Sequence, residues 1–373
     1  MIKYYFRFAV LIVIQIIMIN CMIYSFHNGG ILTNFIPANN PDIQYFGRWD
    51  FSDSLHPEQS WPGVYIVANF SGTSIGIRID DNVNYYNVYI DNKFYKVFHG
   101  DKAEESDYLL ADSLENTNHS FRLSKRNISF SNVFTFSGIL LDEHGGILPP
   151  PPEPSRKIEF IGDSYTAAEG NEATELEMKW EDKFPYTNID KGFVGDIARH
   201  YNAQYHATCR SGIGMVCDWQ GKTEFSMPKY FDRTLMEREY PKWDFKQWAP
   251  NLVVICLGLN DLSGLKGKDS VVSDENSSLF RKTYHEFIST VRNVYPGVTI
   301  VAVAAHPEWV QKNVKQVVDE EIAAGHKDIS YAQFGFYPGQ YVANGHPTVE
   351  IHKKIAEEII KAIDKTGVFS ETK

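Results

Sequence analysis

The sequence predicts two domains in series, a β-sandwich of the jelly-roll kind followed by an α/β domain built on a mainly parallel sheet. Three observations carry this. From Gly47 to about Leu148, short apolar runs alternate with polar residues at the period of strands. Pro149-Pro150-Pro151-Pro152-Glu153-Pro154 then interrupts, and four consecutive prolines continue neither a sheet nor a helix. Beyond them, apolar strand-like runs alternate with segments of helical spacing, the pattern of βα units. At 373 residues the chain is long enough for each domain to bury its own core.

The elements follow in order. Lys3 and Arg7 precede an apolar run from Phe8 to Ile19, the features of an export signal. Cys21 follows at once, in a context resembling a bacterial lipoprotein lipobox, with Asn20 where a small residue is expected. Apolar character continues through Met22, Ile23 and Tyr24, so an uncleaved membrane anchor is the alternative. Residues 1–26 are therefore read as a signal peptide or as a lipoprotein or membrane anchor. The expected location is exported: periplasmic, secreted or on the outer surface. Residues 27–45, rich in Asn, Gly and Pro, read as a leading arm of the 27–148 sandwich domain.

Within that domain Ile75, Ile77 and Ile79 alternate with Gly76 and Arg78. Tyr86, Val88 and Ile90 lead into an Asp91-Asn92 turn, from which Lys93–Phe98 returns as a hairpin. Ser120–Leu123 and Val133–Leu141 read as further strands. Several short strands with polar turns suggest a sandwich or jelly roll. The linker is placed at 149–155 and the second domain at 156–373. There the strand-like runs are Lys157–Ile161, Gln204–Thr208, Leu252–Leu257, Thr299–Ala304 and Asp328–Gln333. Helical spacing marks Val194–His200, Ser278–Val294 and Glu350–Ile363.

Composition excludes some functions. A net charge of −11 argues against a general nucleic-acid binder, which needs a basic face for phosphates. The 21 Tyr and 24 Phe suit β-structure and sugar-binding surfaces. Outside the leader, Cys209, Cys217 and Cys256 remain. Cys209 and Cys217 could pair in an oxidising compartment, or all three could be small buried residues. Without closely spaced His partners they make no zinc site.

The chemistry centres on Lys157–Glu169, KIEFIGDSYTAAE. Ile158, Phe160 and Ile161 form a strand, Gly162-Asp163-Ser164 turns the chain, and Tyr165–Glu169 can open a helix. A serine there sits at the carboxyl end of a sheet, where open α/β folds place ligands, and could act as a nucleophile. A helix N-cap is the plainer alternative. Three more stretches fall at strand ends or in the last loop. Gly212, in Cys209-Arg210-Ser211-Gly212-Ile213-Gly214, could aim its N–H at an oxyanion. Asn260, in Gly258-Leu259-Asn260-Asp261, could offer an amide donor to the same oxygen. His346, in Asn344-Gly345-His346-Pro347, could serve as general base. Singly, each also reads as an ordinary turn or loop residue.

Together, in the order Ser, Gly, Asn, His, they resemble the SGNH (GDSL-type) hydrolases. The closer resemblance is to carbohydrate esterase family 2, acetyl esterases with an N-terminal jelly roll and an SGNH domain of three-layer α/β/α form. Gly47-Arg48, Trp61-Pro62-Gly63, Arg156–Ser164, Ser211–Met215, Met227-Pro228, Phe231–Thr234, Trp243-Asp244-Phe245 and Trp248-Ala249-Pro250 are similar to segments of that family. The resemblance implies Ser164 as nucleophile, His346 as general base, and an oxyanion hole of Gly212, Asn260 and the Ser164 N–H. It implies an acetylated polysaccharide or oligosaccharide such as xylan or glucomannan as substrate, and no metal or cofactor. No nucleic-acid partner is expected, and membrane attachment could come through the N-terminal segment.

Two departures bear on specificity. Where the family commonly has Asp-Trp-His-Pro, this chain has Asn344-Gly345-His346-Pro347, so an amide stands where a carboxylate would orient the imidazole and a glycine where an aromatic would line the sugar site. The Nδ1–H of His346 must then find a backbone carbonyl or the Asn344 side chain, making Asn344 a candidate orienter. Leu259 replaces the Thr often found before the block Asn. An esterase or lipase for other acyl groups and a non-catalytic carbohydrate-binding protein are the competing readings.

Overall fold

The computed structural model describes residues 32–130, 133–268 and 270–370. The expected leader and Cys21 lie outside the described residues.

The first domain is an antiparallel β-sandwich. One sheet runs in the order β1 (Leu32–Pro37), β10 (Phe134–Asp142), β5 (Ile75–Asp80), β8 (Ser106–Ala111), with β3 (Glu58–Gln59) also paired to β10. The other runs β11 (Gly146–Leu148), β4 (Tyr65–Gly72), β9 (Thr117–Lys125), β6 (Tyr85–Ile90), β7 (Lys93–His99), with β2 (Gln44–Phe46) against β4. Ile75, Ile77 and Ile79 are fully buried between the layers, as their alternation requires. Rings cross the interlayer space: Tyr86 of β6 meets Phe134 of β10, and Phe98 of β7 meets Tyr108 of β8. The β6–β7 hairpin turns on Asp91 and Asn92, whose φ angles of 52° and 58° are the left-handed pair that a two-residue hairpin needs.

The sequence reading misses several strands here. Residues 27–45, expected to form a leading arm, contribute β1 and β2. β1 is an edge strand ending in Pro37, so it shows no clean alternation and tolerates proline at its end. β4 reads Tyr-Ile-Val-Ala-Asn-Phe, apolar on both faces, and its outer side lies partly under the second domain, where Tyr65 meets Tyr205.

The proline run lies between β11 and β12 and is tied to residues on both sides. Proline lacks a donor but its carbonyl accepts: Asn69 donates to Pro149 O (2.9 Å), Gln44 to Pro151 O (2.9 Å) and Gln204 to Pro154 O (2.7 Å).

In the second domain five parallel strands run in the order β13 (Ala203–Cys209), β12 (Arg156–Gly162), β14 (Leu252–Cys256), β15 (Thr299–Ala304), β16 (Ile329–Gln333). The chain starts at β12, adds β13 on one side, then crosses to β14 on the other. The carboxyl end of β12 is thus the point where strand order reverses, the position at which open α/β sheets bind ligands. The helices are α1 (Phe193–His200), α2 (Met227–Tyr230), α3 (Leu259–Gly264), α4 (Asp274–Val294), α5 (Glu308–Ala323) and α6 (Val349–Thr366). The sequence reading does not anticipate α5. Its valines favour strands by propensity, yet Val310, Val314, Val317 and Val318 are all buried on one helical face.

The domains share one continuous core, and its centre is a buried charge. Arg48 is 1% exposed and donates to Glu159 of β12 (2.8 Å) and to the Phe231 and Arg233 carbonyls. Its guanidinium lies within 5.3–5.8 Å of the ring centres of Trp61, Phe231, Trp243 and Phe245. Nearby, Trp61 donates to Thr234 O (2.9 Å) and Met236 N to Ser60 Oγ (2.7 Å). A second junction forms at Asp190, fully buried, which accepts from Asn87, Tyr89, Ser124 and Arg122 of the sandwich and from Tyr205 of β13. Burial would push its carboxyl up, but Arg122 and these hydrogen bonds outweigh burial and hold it below the usual carboxylate range.

Cys209, Cys217 and Cys256 are free and buried, so the pairing open to Cys209 and Cys217 is not made.

Candidate active site

β12 ends at Gly162 and delivers Ser164, half-buried, at the carboxyl edge of the sheet. The following residues do not open the expected helix. Ala167 N donates to Asp163 O (3.0 Å) and Glu169 N to Ser164 O (3.0 Å), a turn that widens, and Ala168 takes a left-handed φ of 55° that no right-handed helix continues through. Asp163 shapes this turn: one carboxylate oxygen accepts from Tyr165 N (3.0 Å), the other from Asn260 Nδ2 (3.2 Å). Its carboxyl is pushed up to about 7, first by burial and further by the carboxylates of Asp261 and Glu169.

Gly212 follows β13 with φ +79°, a conformation open to glycine. The N–H groups of Ser164 and Gly212 make no hydrogen bond among the described residues and are available to an oxyanion. Asn260 enters from the first turn of α3, its Nδ2 donating to Ile213 O (2.8 Å) as well as to Asp163. A substrate oxygen would compete for the longer of these two bonds. Asp261 organises the loop beneath: fully buried, it accepts from the N–H groups of Met215 (2.7 Å) and Val216 (2.6 Å).

His346 comes from the other end of the chain, on a small hairpin of β17 (Tyr341–Val342) and β18 (His346–Pro347). Ala343, Asn344 and Gly345 turn it, with φ of 46°, 69° and 89°. Asn and Gly suit such positions, which accounts for this pair of residues. Asn344 does not orient the imidazole through its side chain. Its Oδ1 accepts from Met178 N (3.1 Å), and His346 Nδ1 instead donates to the Ala343 carbonyl (2.7 Å), fixing the tautomer with Nε2 free to accept a proton. Tyr165, next to the serine, donates to Gly345 O (3.0 Å) and so holds the His346 hairpin against the Ser164 turn.

Bonds between their neighbours therefore gather the four residues anticipated from the sequence. Asn260 is tied to Asp163 beside Ser164, while Glu169 joins Ser211, beside Gly212, to His346, whose Nε2 is 3.7 Å from Glu169 Oε1. Glu169, Tyr165, Asp261 and Trp219 are the residues that sequence reasoning left without a role. Asp261 adjoins Asn260, and Glu169 ends the serine stretch, so both stood in view. Their burial did not. Trp219, 56% exposed, places Cδ1 3.1 Å from where a Cβ on Gly212 would lie. On the sandwich side Phe130 stacks on Trp180, with the Arg210 guanidinium 4.4 Å from its ring centre, so a loop of the first domain borders the site. A separate cavity of about 410 Å³ at the Asp190 junction, lined by Tyr65, Arg122 and Tyr205 among others, includes none of the four.

A serine, two backbone donors, an amide and a tautomer-fixed histidine at the carboxyl edge of a parallel sheet define the SGNH class of hydrolase fold. The chain belongs to the GDSL-like lipase/acylhydrolase family, which it matches over residues 158–359, and residues 45–151 match the N-terminal domain of carbohydrate esterase 2. It is 31% identical over 337 residues to a cellulase/esterase of Acetivibrio thermocellus, covering 87% of this chain and 39% of that protein. An acetylxylan esterase / glucomannan deacetylase of Cellvibrio japonicus is 25% identical over 335 residues, covering 88% of this chain and 89% of that protein. Of the first two curated relatives the chain spans 39% and 61% of the length. Among solved structures, a family two carbohydrate esterase from Clostridium thermocellum in complex with cellohexaose superposes with a TM-score of 0.79 at 28% identity, over 87% of this chain and 99% of that one.

Proposed function

We propose that the chain is a serine esterase that removes O-acetyl groups from polysaccharides or oligosaccharides of the xylan and glucomannan type. The observation that carries this reading is the fixed tautomer of His346, held through Nδ1 by a backbone carbonyl and tied through Glu169 to the Gly212 loop. Ser164 Oγ attacks the acetyl carbonyl while its proton passes to His346 Nε2. The carbonyl oxygen, now negative, is received by the N–H groups of Ser164 and Gly212 and by the Asn260 amide. The imidazolium returns the proton to the leaving sugar oxygen, and water then releases acetate from the acyl-enzyme. The names of the Cellvibrio japonicus relative and the cellohexaose bound by the Clostridium thermocellum structure support a glycan as the carrier of the ester. The basic and apolar residues 3–19 support export, which cell fractionation would test.

The test is acetate release from acetylated xylan and acetylated glucomannan, beside the Ser164→Ala variant. Turnover by the wild type and none by folded Ser164→Ala is expected. Wild-type turnover in Ser164→Ala would overturn the nucleophile assignment. Activity confined to long-chain esters would move the chain to the lipase reading.

A further inference from the structure

Glu169 is buried at the site, with a side chain 4% exposed, and it approaches the base from an unusual side. Oε1 accepts from Lys183 Nζ (2.7 Å) and lies 3.7 Å from His346 Nε2, while Oε2 accepts from the Ser211 hydroxyl. Nδ1 is already committed to the Ala343 carbonyl, so Nε2 is the edge that must take up and return the proton. A neutral ring gains no charge–charge attraction from a carboxylate at this distance. An imidazolium does, and is stabilised. Glu169 thus distinguishes the two protonation states through which an acyl transfer passes.

We propose that Glu169 is the electrostatic positioning residue of the His346 base, supplying across the Nε2 edge the negative charge that Asn344 does not supply at Nδ1. The inference rests on the reading of Ser164 and His346 as nucleophile and base. As the Oγ–carbon bond forms and the carbonyl electron pair moves to oxygen, the Oγ proton reaches Nε2 and positive charge grows 3.7 Å from the carboxylate. When the carbon–oxygen bond to the sugar breaks, that proton leaves with the sugar oxygen and the ring is neutral again. Lys183, 7% exposed, shares Oε1 with the histidine and anchors the carboxylate. At 3.7 Å, Oε1 is beyond hydrogen-bond distance of Nε2, so the ring stays available to Ser164.

Burial alone would push the Glu169 carboxyl up. The charge of a protonated His346 and that of Lys183, with hydrogen bonds from Lys183 and Ser211, outweigh it and hold the carboxyl below its ordinary value. The other titratable groups around the ring do not repeat this role. Tyr165 lies with its ring centre 5.9 Å from that of His346. His352 of α6 is pushed down to about 3, first by burial and then by His346, and is neutral at working pH. Asp163 is turned to Tyr165 N and Asn260, and Tyr341 lies on the far strand of the base's hairpin.

The experiment is the pH profile of kcat and kcat/KM on 4-nitrophenyl acetate for the wild type, Glu169→Gln and Glu169→Gln/Lys183→Met, each checked for folding by circular dichroism. Ser164→Ala serves as control. In both Glu169 variants kcat is expected to fall about tenfold to a hundredfold with KM little changed. The acid limb is expected to move to lower pH in Glu169→Gln, because the protonated base loses its counter-charge, and to move in the same direction but less in the double variant, where the repelling lysine charge is gone as well. A purely structural glutamate could lower the plateau but would leave the limb in place. The double variant removes the lysine charge that Glu169→Gln would orphan, and its profile decides between the two roles should the single variant not fold. An acid limb that coincides with the wild type overturns the role of Glu169 while inactive Ser164→Ala leaves the esterase reading standing. Wild-type turnover by Ser164→Ala overturns that reading itself.

Discussion

At the scale of residues, the site substitutes backbone for side chain where the base is oriented. The Ala343 carbonyl fixes the tautomer of His346 without the charge a carboxylate would bring, while Asn344 serves the hairpin through its left-handed φ of 69° and its bond to Met178 N. Asn344→Ala is therefore expected to lower kcat less than about tenfold, against roughly 10⁴-fold when the aspartate of a serine-protease triad is disabled. Steady-state kinetics on 4-nitrophenyl acetate with folding unchanged checks this, and a loss near 10³-fold would make the amide essential. Asp163 gives a second expectation. Its carboxyl, pushed up to about 7 chiefly by burial, keeps in the fold a proton that the unfolded chain gives up near pH 4. The folded state then binds more protons than the unfolded state across that window, so its stability falls as pH rises from about 4 to about 7. Melting temperatures at intervals across this range should decline less steeply in Asp163→Asn than in the wild type. Parallel slopes would show that Asp163 does not titrate in the fold.

At the scale of elements, the long and regular ones were legible. The buried strands β12, β14 and β15 and the helices α4 and α6 carry their period in plain view, and a two-residue Asp-Asn turn marks its own hairpin. What escaped were edges and double-faced pieces: β1 with its terminal proline, β4 with apolar residues on both sides, α5 built on valines. Ser164, Gly212, Asn260 and His346 could be named because their order along the chain, each at a strand end or in the last loop, resembles the SGNH blocks; singly each reads as a turn or loop residue. Glu169 and Asp261 could not be assigned, because an acidic residue shows its burial only when the elements around it are placed. The same holds for Trp219, whose neighbour across space, Gly212, is seven positions away in sequence. With no aromatic at position 345, the exposed Trp219 indole beside Gly212 is a ring on which a sugar could stack. Trp219→Ala should raise KM on acetylated xylan or glucomannan by about tenfold, the loss of one stacking contact of about 1–1.5 kcal/mol, and leave kinetics on 4-nitrophenyl acetate nearly unchanged. Equal losses on both substrates would place the ring in a structural role.

At the scale of the whole molecule, the segments that carry the family resemblance meet at one place. Arg48, Trp61, Phe231, Arg233, Thr234, Trp243 and Phe245 come from both domains and converge on the Arg48–Glu159 pair. That part of the pattern records the junction, while Arg156–Ser164 and Ser211–Met215 belong to the site. Removing one member of a buried pair leaves the other charged and unpartnered, which costs about 3–5 kcal/mol. Arg48→Met should lower unfolding stability by that amount, and Arg48→Met/Glu159→Leu should recover much of it, because no charge is then stranded. Denaturant titration of the three proteins checks this. A double variant no better than the single one would show that the guanidinium's contacts with the four rings and two carbonyls matter more than the charge balance.

Glu159 lies on the same strand that delivers Ser164, five residues upstream. The sandwich therefore grips the rod on which the nucleophile is mounted, and the proline run is a seam stitched from both sides rather than a hinge. In modular terms the two domains make one cassette. A graft that moved residues 156–370 alone into another polypeptide would carry a strand with a buried acid and no base to meet it, whereas a graft of residues 32–370 would carry the serine's support along with the serine.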